Sequence, residues 1–412
     1  MKNTFSPIDQ TERITLLDTL RGLAIFGILM VNMPLFFQPF SVMMQGAKPD
    51  ASFVHILSES FIKFFFEGKF YVMFSMLFGY GFWIFINKTT SEGSNILPVF
   101  ARRAFLLFLF GVVHVVLLWP GDILVFYGLL GLLLVLFRKV SNKRLVGWAI
   151  GLGVIPSVFT GFMVLIFVLF SQIPQAREGM EVGIQQSIDA ISDLVDRASL
   201  AYSQGSFNEI IAIRIEEYKA ILPGVLFFYP MVMAMFLLGA WAARKKMIAN
   251  YMENLLFFRK AFWWGLGIGL IANTAYTYSF QHAQVMNPDV WSFLSTLGHS
   301  LGGFSFCLLY VSVVVLLVSK GKLGTLTKWL SPVGRMALTN YLMHSIICTF
   351  VFLSYGLGQF GKIEIWQGII LTIIIYGLQI PFSAWWLKRF HFGPFEWVWR
   401  SLTYLKIQPF KK

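Results

Sequence analysis

Charge is scarce in this 412-residue chain: Asp, Glu, Lys and Arg together make up 13% of it, against roughly a quarter in soluble domains. Beside a hydrophobic share of 57% and an aromatic share of 17%, that shortage excludes the two or three soluble domains that length alone would permit. Acidic residues are scarcer than basic ones, 20 against 33 Lys and Arg, which leaves a net charge of +13. Cysteine is nearly absent. Cys307 and Cys348 both lie inside apolar runs, which excludes a disulfide framework and reads as small packing residues. No Cys/His spacing of zinc-site type occurs, so no metal is expected. The stretch from Met1 to Arg13 lacks the apolar centre of a cleavable signal peptide, so the first apolar run is expected to do the targeting. No low-complexity tract and no clear internal repeat stands out.

What the chain does have is long apolar runs, with a mean hydropathy of +0.69 and 44 Phe and 13 Trp. The expected fold is an all-α, polytopic transmembrane helical bundle. A spanning helix needs about 20 mostly apolar residues, and the candidates are 16–37, 69–87, 101–119, 123–138, 145–171, 221–243, 261–280, 291–318, 335–354 and 365–387. Residues 54–67 form an amphipathic piece, and Gly68 is a natural break before the span that starts at Lys69. About ten spans put both termini on one side. The organisation expected is a polar N-terminus (1–15), a first membrane half (16–170), an extracytoplasmic segment (171–220), a second membrane half (221–387) and an interfacial tail (388–412).

Lys and Arg set the orientation. With the N-terminus in the cytoplasm, the cytoplasmic segments hold Arg102 and Arg103, Arg138 to Arg144, Arg244 to Lys246, Arg259 and Lys260, Lys320 to Lys328, and the basic tail from Lys388 to Lys412. The outer loops hold few. In a soluble chain this basic excess would point to nucleic acid; here it reads as topology, with a bilayer as the partner and no nucleic acid. The expected location is the plasma membrane, and a homo-oligomer is compatible with the sequence. The large outer segment from Ser171 to Lys219 holds eight acidic and four basic residues. Ile184, Ile188, Ile191 and Val195 recur in it at helical spacing, which suggests an amphipathic lid.

Polar groups inside spans cost several kcal/mol unless paired or hydrated, roughly, so each is a site candidate. Asp18 and Arg21 are spaced i, i+3 and can pair; Asn32, eleven residues after Arg21, projects from the same face. The plainer account is an interhelical hydrogen bond and an anchor. His114 lies in the outer half of its span, and after the turn at Pro120-Gly121 comes Asp122. A carboxylate beside a His orients the ring and raises its basicity, the arrangement of a general base; an N-cap Asp and a core His would look the same. Ser331-Pro332 suggests the start of the ninth span, with Arg335 near its cytoplasmic end as a phosphate contact and Asn340 and His344 sharing a face further in. Lys69 could pair with Glu67, snorkel or reach a cavity. His299, beside Gly298, Gly302 and Gly303, suggests close helix packing. Glu396 and Arg400, with Trp397, Trp399 and Tyr404, suggest an interfacial anchor helix.

Four stretches in order, Leu17-Asp18-Thr19-Leu20-Arg21-Gly22, Gly121-Asp122-Ile123-Leu124, Gly334-Arg335-Met336-Ala337-Leu338-Thr339-Asn340-Tyr341-Leu342 and Gly393-Pro394-Phe395-Glu396-Trp397-Val398-Trp399-Arg400, resemble the YeiB-like family of bacterial membrane proteins of unknown function, over nearly the whole chain. That family is grouped with transmembrane acyltransferases, including acyltransferase family 3 and the lysosomal heparan-glucosaminide acetyltransferases. The resemblance implies transfer of an acyl group from cytoplasmic acyl-CoA to a glycan or lipid acceptor across the membrane. Many family 3 enzymes have, in the first span, an Arg followed after ten residues by a His. Arg21 matches the Arg, but Asn32 stands at the His position. His114 with Asp122 is then the candidate for the catalytic His of the lysosomal branch. Arg21, Arg102, Arg103 and Arg335 become candidate phosphate contacts, and Asn32 or Asn340 a donor to the oxyanion. A transporter or flippase, or a non-catalytic partner of the same fold, remains open at this stage.

Overall fold

The computed structural model describes residues 14–48, 50–90, 96–284, 287–322 and 324–412; the N-terminal segment up to Arg13 lies outside them. Among these residues the architecture is helical throughout, and the sole β pairing is an isolated bridge between Phe390 and Lys411. The helices are α1 (Thr15–Asn32), α2 (Pro34–Phe37), α3 (Phe53–Phe65), α4 (Lys69–Thr90), α5 (Leu97–Leu117), α6 (Leu124–Leu134), α7 (Asn142–Ser171), α8 (Pro174–Gln204), α9 (Phe207–Arg244), α10 (Leu255–Phe280), α11 (Val290–Ser319), α12 (Gly324–Arg335), α13 (Ala337–Phe352), α14 (Ile365–Arg389) and α15 (Pro394–Tyr404).

Among the described residues, eight stretches are long and apolar enough to cross a membrane: α1, the α3–α4 pair taken as Phe53–Asn87, α5, α7, α9, α10, α11 and α14. Two of the expected ten are shorter. α6 has 11 residues before a turn of 3-10 helix (Val135–Phe137), and α13 has 16. The break between α3 and α4 falls at Gly68, whose φ of +86° is open to glycine and costly for other residues.

Apolar side chains cover the outside of this bundle as well as its inside. On α7, Trp148, Ile150, Val158, Phe162, Leu165 and Leu169 are all exposed. α10 shows Trp263, Trp264 and Ile271, and α14 shows Ile373, Ile374 and Leu378. A surface of that kind in water would far exceed the patches soluble proteins tolerate; a bilayer covers it without cost. The inner faces of α1, α4, α9 and α13 make the core, with Leu20, Ile25, Leu29, Met73, Phe236 and Phe352 almost wholly buried.

Two features of the fold position the site. The first is the crossing of α1 and α12. A Cβ at Gly334 would stand 1.8 Å from the carbonyl oxygen of Asp18, and one at Gly22 would stand 2.3 Å from that of Leu330. The two backbones touch because neither position carries a side chain, as in small-residue contacts between membrane helices generally. The crossing brings Asp18 and Arg21 beside Arg335. The second is the break after Arg335. Ser331-Pro332 does not start a helix, as its sequence suggests; it lies within α12, and the chain breaks at Met336 before α13 begins. The cause is distant in sequence: Glu396 on α15 accepts hydrogen bonds from the backbone N–H groups of Leu338 (2.7 Å) and Thr339 (3.0 Å) and from the Thr339 hydroxyl (2.5 Å). A carboxylate is thereby supplied to the first turn of α13, where helix N–H groups have no partner of their own.

The segment expected on the outer side is helical over Pro174–Gln204, as its periodicity suggests. Its buried face is Ile191, Leu194, Ala198 and Tyr202, so Ile191 is on it, whereas Ile188 is 42% exposed. These buried residues all lie in the C-terminal half of α8, and α8 packs on α9. The boundary expected at 220 falls inside α9, a single helix of 38 residues.

Candidate functional site

A cavity of about 960 Å³ opens among α1, α4, α5, α6, α12, α13 and α15. Cations line its mouth: Arg21, Arg103, Arg244, Lys246, Arg335 and Arg400, with Asp18 and Glu396 as the acidic groups. The mouth reaches the surface beside exposed Lys246 and Ala249. Further in, the walls turn apolar, with Ile25, Ile28, Phe74, Leu77 and Leu107, and the cavity ends against Ile123, Leu124, Tyr127 and Tyr341.

The helix periods explain who faces inward. On α1, Asp18, Arg21, Ile25 and Ile28 line the wall, a 3-4-3 spacing that keeps one face. Asp18 is 1% exposed and holds Arg21 through Oδ1 at 2.8 Å. Asn32 ends α1 one turn beyond Ile28 and lies outside the cavity wall. On α5, Arg103 and Leu107 face the cavity and Arg102 does not. Arg103 is packed rather than extended into space: its guanidinium stacks 3.8 Å above the Trp399 ring, and the Trp399 indole N–H donates to the Arg103 carbonyl. The tail helix α15, expected as an anchor, thus forms part of the cavity wall. Arg244 is held by the carbonyls of Phe137, Arg138 and Val140, at the end of the 3-10 turn that follows α6.

Behind the closed end lies a buried polar group of three. His114, on the same helix as Leu107 and about 10 Å further along it, is 1% exposed. Its Nδ1 stands 2.9 Å from Asp122 Oδ2, ion-pair distance, though off the axis of an aligned hydrogen bond. The other Asp122 oxygen accepts from the Val125 N–H at 2.7 Å. One carboxylate therefore does both things its position suggested: it caps the start of α6 and it faces the imidazole. Gly111 permits this, since a Cβ there would stand 2.4 Å from the Val125 nitrogen and 2.8 Å from Asp122 Oδ1. The third member is Ser345 on α13, whose Oγ lies 2.7 Å from His114 Nε2. The Tyr341 ring sits 5.3 Å from the His114 ring, and its hydroxyl accepts the Ile123 N–H. Tyr341 is therefore the partition between cavity and imidazole. Sequence reading did not find Ser345 or Tyr341. It placed the polar face of this helix at Asn340 and His344, one residue round.

Those two are engaged elsewhere. The Asn340 amide donates to the Val333 carbonyl and to Ser383, and His344 Nε2 is 2.8 Å from Gln379 Oε1. They knit α13 to α14 and do not line the cavity. Lys69 is also remote: fully buried, it donates to the Lys63 carbonyl at 2.7 Å, while Lys63 pairs with Glu67 at 3.1 Å. His299 packs its ring against Tyr276 at 5.2 Å, in keeping with its glycine-rich surroundings. On the far side of the His114 group, Trp119, Tyr202, Arg214 and Thr349 surround a space of about 10 Å³. Arg214 there donates to the Val116 carbonyl, and Glu217 accepts from Ser41 and Tyr202.

The fold and its apolar surface define a polytopic helical membrane protein built around a cation-mouthed cavity. The chain belongs to the DUF418 family of proteins of unknown function, whose profile matches residues 242–406, from the end of α9 through α15. It is 34% identical to the uncharacterized protein YxaH of Bacillus subtilis over 425 aligned residues, covering all of this chain and 99% of the relative. It is 28% identical to the uncharacterized protein YeiB of Escherichia coli, over 95% of this chain and 96% of the relative. An uncharacterized 39.9 kDa protein in the amylase 3' region of Bacillus acidopullulyticus is likewise 28% identical, over 98% and 97%.

Proposed function

We propose that the protein is an acyltransferase of the plasma membrane, which takes an acyl group from cytoplasmic acyl-CoA and passes it to a hydroxyl or amine on an extracytoplasmic glycan or lipid. The observation that carries this reading is the alignment of the cavity with the His114–Asp122 corner: a cationic mouth, an apolar shaft, and a buried imidazole one partition beyond the closed end. A cavity of this size suits a cofactor-sized ligand. Arg21, Arg103, Arg335 and Arg400 suit the phosphates of the donor, and the apolar shaft suits its acyl arm. His114 takes the acceptor's proton, with Asp122 opposing the charge that forms on the ring.

The topology that accompanies this reading has ten crossings, the eight long ones plus α6 and α13 as short spans, with both termini in the cytoplasm. Arg103, Arg244, Lys246 and Arg400 come from segments that the positive-inside bias assigns to the cytoplasm, and the fold gathers them with Arg21 and Arg335 at one mouth. That supports the assigned orientation. On the opposite side, α8 is the lid over the exit.

Purified protein in nanodiscs, titrated with acetyl-CoA, tests the reading together with the envelope glycans of cells carrying His114→Ala. No binding, and a glycan profile identical to wild type, would sink it. One observation also favours transport: a cavity open at one end and stoppered at the other is the shape of one state of an alternating-access carrier. Uptake into proteoliposomes without acyl-CoA is the result that reading requires.

A further inference from the structure

The buried group behind Tyr341 contains more than a base and its orienting acid. We propose that Ser345 is the nucleophile of a Ser345–His114–Asp122 triad, which carries the acyl group as a covalent ester between donor and acceptor. The proposal takes its donor from the acyl-transfer reading above; the nucleophile itself rests on geometry.

That geometry has three parts. The contacts run Oγ to Nε2 at 2.7 Å and Nδ1 to Oδ2 at 2.9 Å, the order and spacing by which a serine is activated through a histidine held by a carboxylate. The three come from three different stretches: α5, the turn before α6, and α13. No local sequence rule assembles them.

The second part is what the serine hydroxyl does not do. Buried hydroxyls in this bundle commonly satisfy themselves on the carbonyl four residues back: Thr19 on Thr15, Ser279 on Ala275, Thr349 on Ser345, Thr372 on Gly368. That is the ordinary low-cost arrangement in an apolar helix. Ser345 instead turns across the helix interface onto His114. A serine needed only for packing has no reason to face an imidazole backed by a carboxylate.

The third part is position. Leu338 and Tyr341 on α13 line the cavity, and Ser345 is next on that face, about 6 Å further along the helix. A thioester arriving by the apolar shaft meets Tyr341 first, and a swing of that ring admits its carbonyl to Ser345. Toward the outside, Thr349, one turn beyond Ser345, lines the small space under Trp119, Tyr202 and Arg214. Ser345 thus stands between a route from one side and a closed exit on the other, where a relay has to stand.

The steps balance without a further reactant. Ser345 Oγ gives its proton to His114 Nε2 and attacks the thioester carbonyl. The C–S bond breaks, and the CoA sulfur leaves with the proton from Nε2. An ester on Ser345 remains. The acceptor hydroxyl or amine then gives its proton to Nε2 and attacks the ester. The C–Oγ bond breaks, and Oγ recovers the proton.

Two measurements test this. The first incubates the full-length protein in nanodiscs with radiolabelled acetyl-CoA and no acceptor, then quenches in acid and maps the label. Label on the peptide holding Ser345 is expected, reduced at least about a thousandfold in Ser345→Ala and in His114→Ala, and restored in Ser345→Cys as a hydroxylamine-labile thioester. The second treats the same proteins with a fluorophosphonate, which reports an activated serine without any acyl donor. If wild type transfers acetyl to an acceptor and Ser345→Ala does so equally fast, the covalent serine is overturned and direct transfer by the acyl-transfer reading stands. If wild type neither binds acetyl-CoA nor transfers it, that reading fails, and the fluorophosphonate decides: His114-dependent labelling of Ser345 keeps the nucleophile, and its absence overturns it. Size-exclusion profiles of the variants separate loss of chemistry from loss of fold, and Ser345→Cys is the variant that alters packing least.

Discussion

Replacing Glu396 isolates a contact that joins the tail to the start of α13. In Glu396→Ala, the N–H groups of Leu338 and Thr339 and the Thr339 hydroxyl lose their acceptor. A buried donor left without a partner costs about 1–3 kcal/mol, and loss of a helix cap costs about 0.5–2 kcal/mol. The hydroxyl can turn elsewhere and water from the adjoining cavity can reach the helix end, so the two N–H groups dominate, for a net loss of about 3 kcal/mol. Glu396→Gln keeps one acceptor oxygen and is expected to lose about 1 kcal/mol. Tyr341 sits just over a turn into α13, so fraying of that end also loosens the partition in front of His114. The assay is unfolding of the purified protein by SDS in mixed micelles, followed by tryptophan fluorescence, with parallel proteolysis between α12 and α13. Stability of Glu396→Ala equal to wild type, or Glu396→Gln less stable than Glu396→Ala, would refute the reasoning, because either result means the carboxylate is not what starts α13.

Three further outcomes are expected. Gly334→Ala places a methyl group where the Asp18 carbonyl now lies; overpacking costs about 1–3 kcal/mol, and the splayed α1–α12 crossing is read as a fall in thermal stability together with weaker CoA binding. Arg335→Gln and Arg103→Gln each weaken CoA binding about tenfold by calorimetry, the effect of one lost charge-assisted contact to phosphate, with Arg103→Gln also losing its stacking on Trp399; unchanged affinity in both removes the mouth as the phosphate site. Arg197→Ala is the contrasting case. Its hydrogen bonds to Glu216 and Asp193 hold the guanidinium above its usual pKa, yet the group is exposed, and exposed ion pairs contribute little, so its melting temperature is expected to match wild type in moderate salt.

Much of the frame is legible in the sequence because it rests on local or periodic signals. The break at Gly68, the apolar spans and the helical outer segment follow from composition and spacing. So does the Asp18–Arg21 pair, since i, i+3 residues on a helix are neighbours whatever surrounds them. The His114–Asp122 contact is readable for a similar reason: a loop of a few residues leaves two antiparallel helices little freedom. What escaped has a different physical origin. α13 begins at Ala337 because Glu396, 57 residues away from Thr339, caps it, and no local pattern near Pro332 contains that fact. α8 buries Tyr202 rather than Ile188 because its burial is confined to its C-terminal half, a matter of tertiary packing that the periodicity does not contain. Ser345 looked like any small polar residue in an apolar helix. Asn340 and His344 drew attention because amide and imidazole are conspicuous, but Gln379 and Ser383 satisfy them. The contact of the Ser345 hydroxyl with His114 depends on a rotation of one residue, about 100°, around the helix axis.

The excess positive charge has two parts that physics separates. Many of the described Lys and Arg sit at or near helix ends, where a positive-inside bias would place them and where substitution by another cation changes little. Three of the cations around the cavity are held by specific contacts: Arg21 by Asp18, Arg103 by Trp399, Arg244 by three backbone carbonyls. Holding like charges around one opening costs electrostatic energy in the empty protein, and an anion at the mouth relieves it. The relief is available at the mouth alone, since the shaft beyond it is apolar and the buried imidazole lies behind Tyr341. A ligand that gains from both parts must therefore be anionic at one end and apolar at the other. In the proposed reading it enters with its reactive end leading, toward Ser345.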